Sequence, residues 1–173
     1  MITKCRNHVA MKNLFYSTLK SEFGHITVIS SDKGLTNLFF DGEEFQRFKG
    51  KLNGNKLTLG GKAEIAAREI ELYLRGELRK FGSPLDITSG TTFQMKVWKK
   101  LIGIPYGKVN TYKELASNIG NPNAFRAVGN AVGSNPIPII IPCHRIVSSN
   151  GLGGYSAGLR IKMTLLKLEG AIS

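Results

Sequence analysis

The chain has 173 residues, is 42% hydrophobic and carries a formal net charge of +12 at pH 7. That apolar content is ordinary for a soluble core and argues against disorder, and no apolar stretch approaches the ~18 residues a bilayer span needs. The two cysteines, Cys5 and Cys143, lie far apart in unlike surroundings and form no disulfide framework, which suits a reducing compartment.

Residues 1–13 have no clear period and no signal-peptide apolar region, so a soluble cytoplasmic protein without a membrane partner is expected. Cys5 and His8 have ligand-like spacing, but His25 is the only nearby candidate to join them, and no metal is predicted. Residues 14–19, 26–29 and 35–40 read as strands separated by the turn signals Phe23-Gly24 and Asp32-Lys33-Gly34, an antiparallel meander. Residues 41–62 are polar and glycine-rich, with a short helical possibility at 43–48, and read as a mobile loop. Ala66, Ile70, Tyr73 and Leu74 then recur at helical spacing over residues 63–78, giving an amphipathic helix for the sheet. This half offers no paired carboxylates, phosphate loop or nucleophile with a base, and reads as a scaffold. Pro84 marks a connector and Ser89-Gly90 a boundary, dividing the chain into residues 1–88 and 89–173.

The two halves differ in charge. Residues 1–88 hold 14 Lys or Arg against 10 Asp or Glu, whereas residues 89–173 hold 10 against 2, the acids being Glu114 and Glu169. A segment so poor in carboxylates is an electrostatic footprint for a polyanion, most simply nucleic acid.

Thr91 and Gln94 form a capping-box pattern that opens a helix with Phe93, Val97 and Leu101 on its inner stripe and Trp98 beside them. Ile104-Pro105-Tyr106-Gly107 stops it. Thr111 and Glu114 make a second capping box for a short helix to Gly120; Asn121-Pro122 turns the chain, and residues 123–132 form another short helix. The pair reads as a helix-turn-helix. Its second helix carries Ala124, Ala127, Gly129 and Ala131, small residues that admit either a DNA groove or a packed neighbour. In the last helix Leu159, Met163, Leu166 and Gly170 are placed inward and Arg160, Lys162 and Lys167 outward. Glu169 near its end opposes the helix dipole, so it is either an exposed oddity or a buried partner for an imidazole.

Between these helices Asn135-Pro136-Ile137-Pro138-Ile139-Ile140-Ile141-Pro142-Cys143-His144-Arg145 carries three prolines that forbid a helix, which predicts a buried extended segment. It delivers Cys143, a candidate nucleophile, next to an imidazole and a cation, surroundings expected to lower the thiol pKa. Adjacent residues of an extended segment point to opposite faces, so a bridging water or a turn is needed to connect Cys143 with His144.

Pro142-Cys143-His144-Arg145, with Asn135-Pro136 upstream and Gly154-Tyr155-Ser156 downstream, resembles the active-site signature of the O6-alkylguanine-DNA alkyltransferases. The likeness is strong over residues 88–170 and faint before them. It implies an α+β fold: a small antiparallel N-terminal sheet with one helix, ribonuclease H-like, then a mostly helical domain with the helix-turn-helix. It implies a DNA repair protein, monomeric and without a cofactor, acting on double-stranded DNA that contains O6-alkylguanine, with O4-alkylthymine a further substrate. The nucleotide is flipped out of the duplex, and the alkyl group passes irreversibly to Cys143. By the same resemblance His144 and Glu169 form a relay to Cys143 through water, Asn135 hydrogen-bonds nearby, and Tyr112 gives its hydroxyl to the guanine. Arg126 enters the base stack from a groove helix that includes Ala127 and Gly129. The Ser156 N–H reaches O6, the carbonyls of Cys143 and Ile146 read the base amino group, and Tyr155 packs on the base. Ala157 stands where the family commonly has glycine, and Ser31 and Thr36 where some members have two zinc ligands.

Two rival readings follow from the same residues. A papain-type hydrolase needs a histidine distant in sequence, for which only His8 and His25 are available. A lesion-binding protein of the alkyltransferase-like kind lacks the nucleophile, whereas Cys143 is present.

Overall fold

The computed structural model describes residues 13–52 and 56–173. Cys5 and His8 lie outside the described residues. Strands β1 (Leu14–Ser21), β2 (Gly24–Ser30) and β3 (Leu35–Phe39) pair antiparallel, with a bulge at Ile29/Ser30. This is the expected meander, but a fourth strand joins it: β4 (Leu57–Leu59) runs parallel to β1, giving the order β3-β2-β1-β4. The described residues of 41–62 are therefore not the loop their composition predicts. They also hold α1 (Gly42–Gly50), where Asp41 accepts from the Glu44 N–H at 2.7 Å, acids occupy the first turn and Arg47 and Lys49 the last. Cap and charges both match the helix dipole. Phe45 and Phe48 of α1 pack on Phe39.

Helix α2 (Lys62–Leu74) lies on the sheet and buries Ala63, Ala66, Ile70 and Tyr73. The second half opens with α3 (Thr92–Ile102) and α4 (Tyr112–Asn118), each preceded by its capping box, Thr91 with Gln94 and Thr111 with Glu114. Helix α5 (Phe125–Gly133) packs on α3 and α4; the Trp98 indole N–H donates to the Ala131 carbonyl at 2.8 Å. Two-residue strands β5 (Asn110–Thr111) and β6 (Ile146–Val147) pair parallel, and α6 (Leu159–Leu168) closes the chain. One hydrophobic cluster runs through both halves, from Ile26, Val28 and Ile70 to Leu101, Val128 and Leu165. The Leu38 N–H donates to the Pro136 carbonyl at 2.8 Å, tying β3 to the proline-rich segment.

Candidate active site

The proline-rich segment is buried as expected but is not extended. Ile139 adopts φ 71°, and the Ile141 N–H reaches back to the Ile137 carbonyl at 2.9 Å. A positive φ on a β-branched residue is strained, at a cost of order 1–3 kcal/mol, and persists only where the surroundings enforce it. Asn135 supplies that enforcement: its Oδ1 accepts from the Ile137 N–H at 3.0 Å, and its Nδ2 donates to the Ile141 carbonyl at 2.8 Å. The folded-back chain enters a 3₁₀ turn, Cys143–Arg145, before β6. Prolines exclude a helix without demanding a strand, and here they line a compact turn.

The second proton of the Asn135 amide points at the nucleophile, Nδ2 lying 2.9 Å from Cys143 Sγ. The thiol is buried, and burial pushes it up to about 11, outweighing the Asn135 hydrogen bond and the field of Lys162. The resting site therefore raises the thiol pKa instead of lowering it. His144, on the same turn, is fully buried; burial lowers its pKa, with Glu169 acting in the opposite direction.

Glu169 caps the end of α6 and is buried. Its Oε1 lies 2.9 Å from His144 Nε2 and accepts from Arg145 Nη2 at 2.8 Å and from Tyr73 Oη at 2.5 Å. Oε2 accepts from Arg145 Nε at 2.9 Å and from the Gly107 N–H at 3.1 Å. Burial alone would raise this carboxyl; the bonds from His144 and Arg145 win and hold it at about 2. An ionised carboxylate accepts only, so His144 carries its proton on Nε2 and leaves Nδ1 as a bare acceptor. Nδ1 is buried and has no protein partner among the described residues. The arrangement is an oriented imidazole on the same 3₁₀ turn as the thiol.

A cavity of about 160 Å³ opens at Cys143, lined by Tyr112, Tyr155, Ser156 and the Gly129 and Val132 surface of α5. The Tyr155 hydroxyl is buried and interacts with the Cys143 thiol, which lowers the thiol pKa and raises that of the phenol. Ile146 is buried outside this lining, and Ala157 lines a neighbouring groove of about 470 Å³ that shares Gly133 and Ser156 with it. Arg126 and Ala127 are exposed on the first turns of α5, near Phe125, which is 42% exposed. Ser31 and Thr36 bond within the N-terminal half, Ser31 to Asp86 at 2.8 Å and Thr36 to the Ile29 carbonyl at 3.4 Å. Among the described residues no cluster of three His, Cys, Asp or Glu is placed to hold a metal, and no helix is long and apolar enough to cross a membrane.

The sequence reading misses Tyr73 and Lys162 as site residues and, for Arg145 of the signature, the carboxylate it holds. Tyr73, assigned to a scaffold helix, bonds Glu169 from the other half of the chain; the only sequence hint is that a buried tyrosine needs a partner for its hydroxyl. Arg145 grips the same carboxylate and the Ile104 carbonyl. Lys162, placed outward by its charge, is fully buried. Conversely Leu159 and Met163, placed inward, are 49% and 40% exposed, while Ile161 and Leu165 take the buried side.

Comparison with known proteins agrees with this geometry. Residues 14–87 match the family described as 6-O-methylguanine DNA methyltransferase, ribonuclease-like domain, and residues 92–171 match the DNA binding domain of the same name. A methylated-DNA--protein-cysteine methyltransferase of Methanosarcina barkeri is 45% identical over 158 residues, covering 90% of this chain and 97% of that protein. Its counterpart in Mycolicibacterium paratuberculosis is 41% identical over 155 residues, covering 89% and 91%. The crystal structure of Mycobacterium tuberculosis O6-methylguanine methyltransferase superposes with a TM-score of 0.79 at 40% identity, covering 91% of this chain and 93% of that one. A structure of the M. tuberculosis protein in complex with DNA gives a TM-score of 0.78 at 39% identity over the same shares. With both halves matched in order and the thiol, imidazole and carboxylate assembled in one site, the chain belongs to the 6-O-methylguanine DNA methyltransferase family.

Proposed function

We propose that the chain repairs DNA by moving an alkyl group from O6 of guanine to Sγ of Cys143, once per molecule and without a cofactor. The observation that carries this is a buried Cys143 opening onto a small cavity with the His144–Glu169 pair behind it. The S–C bond forms as the C–O6 bond breaks. The thiol proton leaves toward His144 Nδ1 through a bridging water, and guanine takes up one proton, so thiol and O6-alkylguanine become thioether and guanine. The thioether is stable and no residue of the site removes it.

With a thiol near 11, about one molecule in ten thousand is thiolate at pH 7, a deficit of roughly 5 kcal/mol. The proton must therefore move as the sulfur attacks, and the remaining acceleration comes from aligning sulfur, carbon and leaving oxygen and from donors to the departing guanine. Tyr112 and the Ser156 N–H are those donors. Tyr155 packs on the base, with the carbonyls of Cys143 and Ile146 toward its amino group. The base must leave the duplex at a cost of a few kcal/mol; α5, with Arg126, Ala127 and Gly129, enters the groove and Arg126 fills the gap. The partner is double-stranded DNA carrying O6-alkylguanine, with O4-alkylthymine a further substrate. The protein acts as a cytoplasmic monomer of two domains, residues 1–88 and 89–173, packed on a shared core.

The test is intact mass before and after mixing with a duplex carrying one O6-methylguanine, beside a Cys143→Ser control. A stoichiometric gain of one methylene, absent from the control, is expected. Binding without mass gain would overturn transfer in favour of lesion recognition alone.

A further inference from the structure

We propose that the chain carries a second ligand site where its two halves meet, and that this site takes a small organic anion, a phosphate or carboxylate borne on a flat apolar body. The site is a cavity of about 380 Å³, lined by residues 79–85 after α2, by the end of α3 and the turn beyond it, and by the back of the segment that carries Cys143. That volume is in the range of small-molecule pockets, about 300–1,000 Å³. The cavity shares no lining residue with the one at Cys143 or with α5, so neither the alkyl transfer nor the DNA groove accounts for it.

Three cations line it, Arg79, Lys80 and Arg145, and no Asp or Glu does. The guanidinium carbons of Arg79 and Arg145 lie 5.4 and 5.9 Å from the centroid of one ring, that of Tyr106. Among the described residues neither Arg79 nor Lys80 makes an ion pair. Two acids stand behind the lining, and each already has its donors: Glu69 accepts from the Gly82 and Ser83 N–H groups at 2.8 and 3.2 Å, and Glu169 is held by Arg145.

Arg145 does not exhaust its donors on Glu169. A guanidinium has five N–H groups; Glu169 takes the one on Nε and one on Nη2, and the Ile104 carbonyl takes one on Nη1. One N–H on each terminal nitrogen is left without an acceptor among the described residues, although the side chain is buried. The Ser83 hydroxyl, also at the cavity, is buried and has no hydrogen-bond partner. Buried donors without acceptors are costly. An oxyanion supplies the acceptors these groups lack and offsets the excess of positive charge, and guanidinium groups match phosphate and carboxylate in shape. The rest of the lining is apolar and includes the rings of Phe81 and Tyr106, which favours an anion on a flat hydrocarbon body over a bare inorganic ion.

The test is isothermal titration calorimetry of the full chain at low salt with phenyl phosphate, benzoate and inorganic phosphate. Phenyl phosphate or benzoate should bind one to one with Kd on the order of 0.1–1 mM, the tighter of the two identifying the head group, and inorganic phosphate roughly tenfold more weakly. Replacing two exposed cations in the double variant Arg79→Gln, Lys80→Gln should weaken binding about tenfold. Ile102→Trp keeps every charge but puts a larger side chain at a lining residue that is 44% exposed, and should abolish binding while the fold is kept. A saturating undamaged duplex should leave the affinity within about twofold. The inference is overturned if neither aryl anion binds below about 10 mM, if inorganic phosphate binds as tightly as they do, or if either variant stays within about twofold of wild type. Displacement by the duplex also overturns it, by placing the anion in the DNA groove. Because binding and not transfer is measured, this inference and the proposed function stand or fall separately.

Discussion

Tyr73→Phe removes one oxygen from the N-terminal half and should be felt in the C-terminal half. The hydroxyl donates to Glu169 Oε1 at 2.5 Å and lies 3.4 Å from His144 Nε2, with no exposure to solvent. A hydrogen bond to an ionised group contributes about 1.5–3 kcal/mol, so a loss of about 2 kcal/mol at pH 7 is expected, or about 4–8 °C in Tm for a chain of this size. If that energy belongs to the ionised carboxylate, the variant's folded Glu169 rises by roughly 1.5 pH units above the wild-type value of about 2. The folded pKa of Glu169 lies below its unfolded value, so its stabilisation is complete above about 4.5 and drains away as pH falls toward 2. The gap between wild type and variant should accordingly shrink from about 2 kcal/mol at pH 7 to roughly 1 kcal/mol at pH 3. Urea unfolding of both proteins at the two pH values measures it. A gap that does not change with pH would mean that Tyr73 acts by packing alone, and no gap at all would mean that the two halves are not joined through this bond.

Gly107→Ala places a Cβ 2.8 Å from the Glu169 carbonyl oxygen at a residue with φ +74°, and should cost about 1–3 kcal/mol in urea unfolding; an unchanged midpoint would refute that contact. Arg126→Ala changes an exposed side chain on α5, so the Tm should hold within about 1 °C. Transfer from an O6-methylguanine duplex should slow roughly 10–100-fold, while transfer from the free base stays unchanged, because only the duplex demands a flipped nucleotide. Equal slowing on both would place Arg126 in the chemistry and not in the groove.

What was legible in the sequence was local. The capping boxes at Thr91 and Thr111 each lie within four residues, and both open helices where the pattern places them. The meander of β1 to β3 is likewise set by alternation and adjacent turns. The Pro-Cys-His-Arg signature marked the nucleophile and its imidazole, and Glu169 was open to either reading until the fold buried it. What failed was whatever depends on partners distant in sequence. Strand β4 is three residues long and exists because β1, over forty residues earlier, offers its edge. Tyr73 and Glu169 are separated by 96 positions, and no period in either segment announces the other. Lys162 was placed in water by its charge, since a cage of three carbonyls has no side-chain signature. The turn at Ile139 escaped because proline constrains its neighbours toward extended backbone while the Asn135 amide, acting through Ile137 and Ile141, folds the segment back.

The opposed pKa shifts at Cys143 and His144 bear on when the protein reacts. Burial raises the acid to about 11 and lowers the base, so transferring a proton between them in the resting site is uphill by more than ~5 kcal/mol. A standing thiolate would react with any soft electrophile that reached it, and a protein that accepts one alkyl group and cannot shed it would be consumed without repairing anything. The uncharged pair avoids this. In the proposed reaction a bound base changes the balance: donors such as Tyr112 would stabilise the charge that leaves on guanine, while Asn135 and Lys162 lower the pKa of the thiol. The same burial that makes the thiol a poor acid in isolation lets these few dipoles and charges act at low dielectric once the base occupies the cavity. On the proposed function, reactivity is thereby tied to occupancy of the cavity, through the 3₁₀ turn that carries the thiol and the Asn135 amide that bonds it.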